Sequence, residues 1–224
     1  MSANLINLLL QATGQTLYMV AISTFLGTLF GLPLGVFLAI SQRGELLSAP
    51  WVNKVLGLVV NATRSVPFII LVVAIIPFTR AIAGTSIGTT AAIVPLTIAA
   101  VPFIARLVEN AIREVDGGLI EAARAMGATP FQIIRKVLIP EALPAITLGL
   151  TLAVVSLIGY SAMVGAVGGE GLGDLGIRYG YQRFMPDVMA VVVVILIVLV
   201  QLVQSIGEWI STRVDKRAPK GRGQ

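Results

Sequence analysis

Stretches of about 20 consecutive residues without a charge recur along this chain, and each is long enough to cross roughly 30 Å of hydrocarbon as a single helix. Five such spans are expected, at about 17–40, 55–78, 87–107, 144–164 and 188–206, which makes residues 1–224 one all-α polytopic membrane domain. The second span differs from the rest. It contains Arg64 followed by Pro67, and the part beyond Arg64 is too short to cross comfortably alone, so it is expected to begin as an interfacial or broken helix.

Composition closes off several function classes. Hydrophobic residues make up 56% of the 224 and charged ones 12%, which excludes a soluble domain. There is no Cys and no His, so disulfides, zinc sites, thiol nucleophiles and the usual physiological-pH base are absent. No metal, cofactor or catalytic residue is expected. The first fifteen residues carry no Lys or Arg; they lack the basic start of a cleaved signal peptide, so the first apolar segment is expected to remain in the mature protein.

Five spans put the termini on opposite sides, and the basic residues decide which. With the N-terminus outside, Arg43, Lys54, Arg64, Arg106, Arg113, Arg124, Arg135, Lys136, Arg213, Lys216, Arg217, Lys220 and Arg222 fall on the cytoplasmic side, and only Arg80, Arg178 and Arg183 fall outside. That asymmetry fixes N-out, C-in. The net charge of +5 and the basic tail at about 211–224 then follow from orientation and anionic lipid, and no nucleic-acid partner is implied.

Within the spans, Pro33, Pro67, Pro95 and Pro102 each remove a backbone donor and favour a kink. Gly27, Gly31 and Gly35 recur every fourth residue of the first span, a face another helix can approach closely, whether inside one subunit or across a dimer seam. The cytoplasmic connection at about 108–143 is the longest, and its residues specify structure. Asp116 with Gly117 and Gly118 offers a turn and an N-cap; Leu119, Ala122, Ala123 and Met126 fall on one apolar face; Glu121 is placed in the first turn; Gly127 is the C-terminal stop. A second start follows, with Thr129 as cap, Pro130 at the first helical position and Gln132 completing a capping box. Phe131, Ile134 and Leu138 supply its apolar face, and Pro140 and Pro144 limit it. Such a rigid projection either packs on its own spans or docks on another protein.

The run Glu121, Ala122, Ala123, then Gly127, then Val137, Leu138, Ile139, Pro140 resembles the EAA loop of ABC importer permeases, with Val137 and Ile139 standing for the family's Ile and Leu. The stretches RSVPFIILVVAIIPFTR, GTSIGTTAAIVPLTIAAVPFIARLVENAI and LIGYSAMVGAVGGEGLG resemble the methionine-type branch of those permeases, over most of the chain. The resemblance implies a type I ABC importer permease fold with a cytoplasmic coupling helix between the third and fourth spans, in a bacterial inner membrane. It implies as partners a second permease copy in a homodimer, two ATP-binding subunits and an extracytoplasmic substrate-binding protein. Carried over by position, Glu121, Ala122, Ala123, Arg124, Met126, Gly127 and Pro140 are the ATPase-coupling residues, and the transported solute is an amino acid, with methionine favoured. ATP with Mg would be bound by the partner ATPase. This chain has no G-x-x-x-x-G-K-[ST] around any lysine and is not expected to be an enzyme.

A G-x-G-x-x-G at Gly171, Gly173 and Gly176 follows a membrane span and lacks the strand-loop-helix context of a dinucleotide site. The glycine-rich stretch 165–180 is instead expected to be a compact external or re-entrant turn packing closely on the opposing subunit or the binding protein. For the pathway the candidates are Tyr160, Ser161 and Met163 as a constriction, and Arg64 as an ionisable group at membrane depth, with bundle packing and snorkelling as their structural alternatives. Arg106 and Glu109, three apart, are expected to form an intrahelical ion pair. A secondary transporter or channel would carry more intramembrane acids than the spans hold, and an intramembrane hydrolase would need a base they lack.

Overall fold

The computed structural model describes residues 3–42 and 46–215, and among them every regular element is helical. Arg43 and the basic tail from Lys216 lie outside the described residues. Four helices are long and apolar enough to cross a membrane, and a bent pair supplies the fifth span.

Helix α1 runs from Ala3 to Ile40, starting well before the span expected from Leu17. Its outer part is held by a stripe the polar residues between them disguise. Leu5, Leu8, Leu9 and Ala12 recur at helical spacing and pack with Leu172, Leu175, Val188 and Val192 in a satellite cluster. The inner part lies on α5 (Thr89–Arg113), and the Gly27, Gly31, Gly35 face makes the approach possible. A Cβ at those positions would stand 2.7 Å from the Ala100 Cβ, 2.8 Å from the Val101 carbonyl oxygen and 2.4 Å from the Ala105 carbonyl oxygen. The glycine face is thus packing inside one subunit.

The second span is broken, and Pro67 explains where. Helix α2 (Pro50–Ser65) ends at Val66, whose φ of −81° and ψ of 126° are extended, as the residue before a proline prefers. Helix α3 (Phe68–Ala74) then leaves at 102° to α2. A further break at Ile75, ahead of Pro77, starts α4 (Ile76–Ala83), which Gly84 closes at φ 74°. By contrast α1 and α5 continue through Pro33, Pro95 and Pro102.

Helix α5 is the axis of the subunit. Leu96, Ala100, Ile104 and Val108 are at most 1% exposed, whereas the last helix, α10 (Pro186–Val214), is mostly uncovered by the rest of the chain. The apolar side chains that α10 leaves uncovered, Val194, Ile197, Val198 and Leu202 among them, suit a lipid-facing position.

After α5 come α6 (Gly117–Ala125), α7 (Pro130–Ile133), a π-helical turn at Ile134–Leu138 and α8 (Ile139–Gly165). Pro140 and Pro144 do not limit the second loop helix. The chain from Pro130 to Gly165 is helical throughout, so the loop runs directly into the fourth span. A proline ring clashes with the carbonyl four residues back, and the wider π turn, in which the Ile139 N–H donates to the Ile134 carbonyl, opens the ladder just ahead of Pro140. Helices α8 and α10 then cross at Gly207, where a Cβ would stand 2.0 Å from Thr151 Oγ1, and the Ser211 hydroxyl donates to the Pro144 carbonyl at 3.1 Å.

Candidate functional site

The cytoplasmic projection is held at every corner. Asp116 caps α6, its carboxylate accepting from the Gly118 N–H at 2.8 Å. At the other end Gly127 adopts φ 77°, the Ala128 N–H donates to the Ala123 carbonyl and the Gly127 N–H to the Arg124 carbonyl, the paired bonds of a Schellman stop. Thr129 and Gln132 form the full capping box, with the Thr129 N–H donating to Gln132 Oε1 at 2.9 Å and the Gln132 N–H to Thr129 Oγ1 at 3.4 Å. Each bond fixes an otherwise orphaned backbone group, so α6 has one orientation.

That orientation differs from the apolar face expected from spacing. Ala123 is 4% exposed and packs inward with Ile120 and Val115, whereas Met126 is 82% and Leu119 41% exposed. Helix α6 has two apolar faces and its own chain covers one; Glu121, Ala122, Arg124 and Met126 are left open to solvent. Glu121 is the fifth residue of the helix, just past the first turn rather than in it. The second loop helix corrects in the same way. Phe131 is 68% exposed, and Ile133 and Leu138 are the buried anchors. The π turn puts five residues where an α turn would put four, which returns Leu138 to the face of Ile133. Pro140 lies away from the open face, lining a cleft of about 180 Å³ with Ala111, Val115 and Asp215.

At the root of the projection, Glu109 is 1% exposed and lies between two guanidinium groups. Arg106 Nη1 donates to one of its oxygens at 2.5 Å, and Arg113 holds the other. Arg106 also reaches across to α2, donating to the Gly57 carbonyl at 3.1 Å and to Asn61 Oδ1 at 2.9 Å. The expected intrahelical pair is therefore the core of a trio that ties α2 to the inner end of α5. A buried carboxylate needs such partners.

The pathway candidates separate. Tyr160 stacks on Phe68 with ring centroids 4.4 Å apart and planes at 12°. With Arg64, Ala99 and Phe103 the two rings wall a cleft of about 120 Å³ at the α2–α3 break. The Arg64 guanidinium carbon lies 5.7 Å from the Phe103 ring centroid. Met163 sits one turn beyond Tyr160 and is 46% exposed. Ser161 is turned away: it is 2% exposed and its hydroxyl donates to the Ile158 carbonyl in its own helix. Phe68 and Phe103 were not singled out by sequence reasoning, although each directly follows a proline in a span.

The glycine-rich external segment folds into α9 (Gly171–Leu175) and a second π-helical turn at Gly176–Tyr181. A Cβ at Gly165 would stand 2.3 Å from the Asp174 nitrogen, and one at Gly173 would stand 2.3 Å from the Ala162 carbonyl oxygen. These glycines let α9 close on the end of α8 in the same chain, not on an opposing subunit. Glu170, at φ 62°, accepts from Gln15 Nε2 and Thr89 Oγ1, both at 2.6 Å, and so joins α1, α5 and α9.

A family model for binding-protein-dependent transport system inner membrane components matches residues 31–218. The chain is 60% identical over 211 residues to the probable D-methionine transport system permease protein MetI of Vibrio cholerae, covering 94% of each. It is 53% identical over 165 residues to the D-methionine transport system permease protein MetI of Escherichia coli K12, covering 74% of this chain and 76% of that one. Among solved structures it resembles a chain of the MetNI methionine ABC transporter in inward-facing conformations, with a TM-score of 0.94, 50% identity, and coverage of 96% of this chain and 100% of that one. An amino acid ABC transporter matches in fold alone, at TM-score 0.76 and 20% identity.

Proposed function

This chain belongs to the binding-protein-dependent transport system inner membrane components, and on that premise we propose that it is the permease subunit of an ATP-binding cassette importer, forming the path for an amino acid, specifically methionine. Relatives and the solved structure named for methionine transport support that substrate. Two copies pair about the pathway in a bacterial inner membrane, each carries an ATP-binding subunit, and a substrate-binding protein delivers from outside. No bond is made or broken on this chain; ATP with Mg acts on the partner.

The observation that carries this reading is the open face of α6. Glu121, Ala122, Arg124 and Met126 stand on a helix capped at both ends, on the side the basic residues mark as cytoplasmic. Small residues let a partner groove close around the backbone, Met126 offers an adaptable apolar contact, and Glu121 with Arg124 offers charges of both signs. ATP-driven closure of the two ATPases would move α6 and, through it, the spans that line the path.

The test is co-purification with the ATP-binding subunit together with ATP-dependent methionine uptake in proteoliposomes. Glu121→Lys and Met126→Asp are expected to weaken assembly and to lower uptake by about 5- to 150-fold, since each removes an interface contact worth about 1–3 kcal/mol. Unchanged assembly and uptake in both variants would refute the coupling assignment.

A further inference from the structure

We propose that the cleft between α2, α3, α5 and α8 is a substrate site that receives the carboxylate of the transported amino acid on Arg64 and its apolar side chain on the rings of Phe68, Phe103 and Tyr160. This deepens the importer reading and rests on it.

Three observations meet here. Arg64 is in the last turn of α2, just before the chain turns through 102°, so its side chain is presented where the helical wall opens. Its guanidinium faces the Phe103 ring near the middle of α5, away from either helix end. Among the described residues no ion pair joins a carboxylate to it, and Glu109 and Asp174 are held by other arginines. Arg64 is exposed within the subunit, and with no carboxylate beside it among the described residues its guanidinium fork is open to an anion from outside the chain.

The rest of the cleft says what that partner is. Its walls are apolar or aromatic, and the one hydroxyl besides Tyr160, that of Thr63, already donates to the Val59 carbonyl at 2.9 Å. Among the described residues no acidic side chain lines it. The site therefore takes a planar anionic group, which a guanidinium fork binds through two parallel bonds, and an apolar tail, with the α-ammonium left to water at the exposed Arg64 end of the cleft. A thioether gains a further contact at an aromatic edge. The stacked pair of Phe68 and Tyr160 joins α3 to α8, so a tail lodged against it bears on the helix that carries the loop.

Because the chain contains no cysteine, Ala99→Cys places its only thiol on the cleft wall. In the permease–ATPase complex carrying this variant, maleimide labelling of the permease is followed with L-methionine or with L-methioninol, which keeps the amine and thioether and lacks the carboxylate. Methionine is expected to slow labelling saturably and methioninol to leave it unchanged. Adding Arg64→Gln should raise the half-protecting concentration of methionine about 10- to 100-fold, the effect of losing a charge-assisted pair, with Arg64→Lys between the two. Equal protection by both compounds, protection by neither at millimolar concentration, or full protection surviving Arg64→Gln would each overturn the proposal. If the double variant fails to assemble, the comparison of the two compounds on Ala99→Cys decides alone. ATP-driven methionine uptake by the unsubstituted complex is measured alongside: uptake without differential protection sinks only the site, and absence of uptake sinks the reading beneath it.

Discussion

Glu109→Gln tests whether the inner end of the subunit is held by charge. The side chain of Glu109 is 2% exposed and its two partners, Arg106 and Arg113, are 20% and 43% exposed. The amide keeps the shape and one acceptor oxygen and loses the charge. Arg113 can turn to solvent and Arg106 keeps the Gly57 carbonyl and Asn61, so neither guanidinium is stranded. What is lost is the carboxylate's charge in two hydrogen bonds, each worth about 1.5–3 kcal/mol against about 0.5–1.5 kcal/mol for neutral ones, or about 2–3 kcal/mol in all. Unfolding in mixed micelles with rising dodecyl sulfate, followed by the fluorescence of Trp51 and Trp209, measures it. Arg113→Gln should cost less than about 1 kcal/mol, because that partner is near the surface and Arg106 remains. Arg106→Met with Glu109→Leu should recover most of the loss, since a buried pair replaced by apolar groups of similar volume is often neutral. A loss below about 0.5 kcal/mol for Glu109→Gln, or no recovery in the double variant, would refute the reasoning.

Gly35→Ala and Gly14→Ala should differ in sign: at Gly35 a Cβ meets the Ala105 carbonyl at 2.4 Å, while at Gly14 nothing lies within 4 Å, so the first should lower the thermal midpoint and the second stabilise by about 0.5–1 kcal/mol. Gly127→Ala should cost about 1–2 kcal/mol, because φ 77° strains any other residue while no atom stands in the way of its Cβ; an unchanged midpoint would count against the Schellman stop. Asp116→Ala should cost about 1 kcal/mol through the lost cap and loosen α6, read as faster amide exchange at Leu119 and Ile120. Tyr160→Leu should weaken the α3–α8 contact by about 0.5–1.5 kcal/mol beyond lost area, measured against Phe68→Leu in a double-mutant cycle.

Local chemistry was the most legible part of the fold. Asp116, Gly127, Thr129, Pro130 and Gln132 act through neighbours within a few residues, so their roles follow from spacing and are found in place. The Gly27, Gly31, Gly35 face was also legible, but its partner was not, because the choice between α5 and a second subunit is decided by residues far along the chain. The early start of α1 was hidden because Asn4, Gln11 and Gln15 lower the hydropathy without disturbing the helical stripe of Leu5, Leu8, Leu9 and Ala12. Phase was the hardest element. A π turn adds one residue to the period, so the buried face joins Ile133 to Leu138, five apart, and a face counted at 3.6 residues per turn back from Leu138 lands on Ile134 and the exposed Phe131 instead. Of the pathway candidates, Tyr160 and Arg64 do share a cleft, while Ser161, one position along, faces the opposite way; the aromatic walls come from α3 and α5, beyond the reach of any local pattern.

The unbroken helical path from Pro130 to Gly165 has a mechanical consequence. Between the π turn and Tyr160 the helix is a rod of about 30 Å at 1.5 Å per residue. The start of this path at α7 and the aromatic pair are the two ends of one lever arm, and α6 is joined to it through the capped corner at 126–129. A rigid tilt of only about 5° at the loop moves the far end by about 2–3 Å over that length, on the scale of a ring's contact distance. The proline that looked like a terminator is thus built into the rod, and the turn ahead of it preserves stiffness where a break would have absorbed the motion.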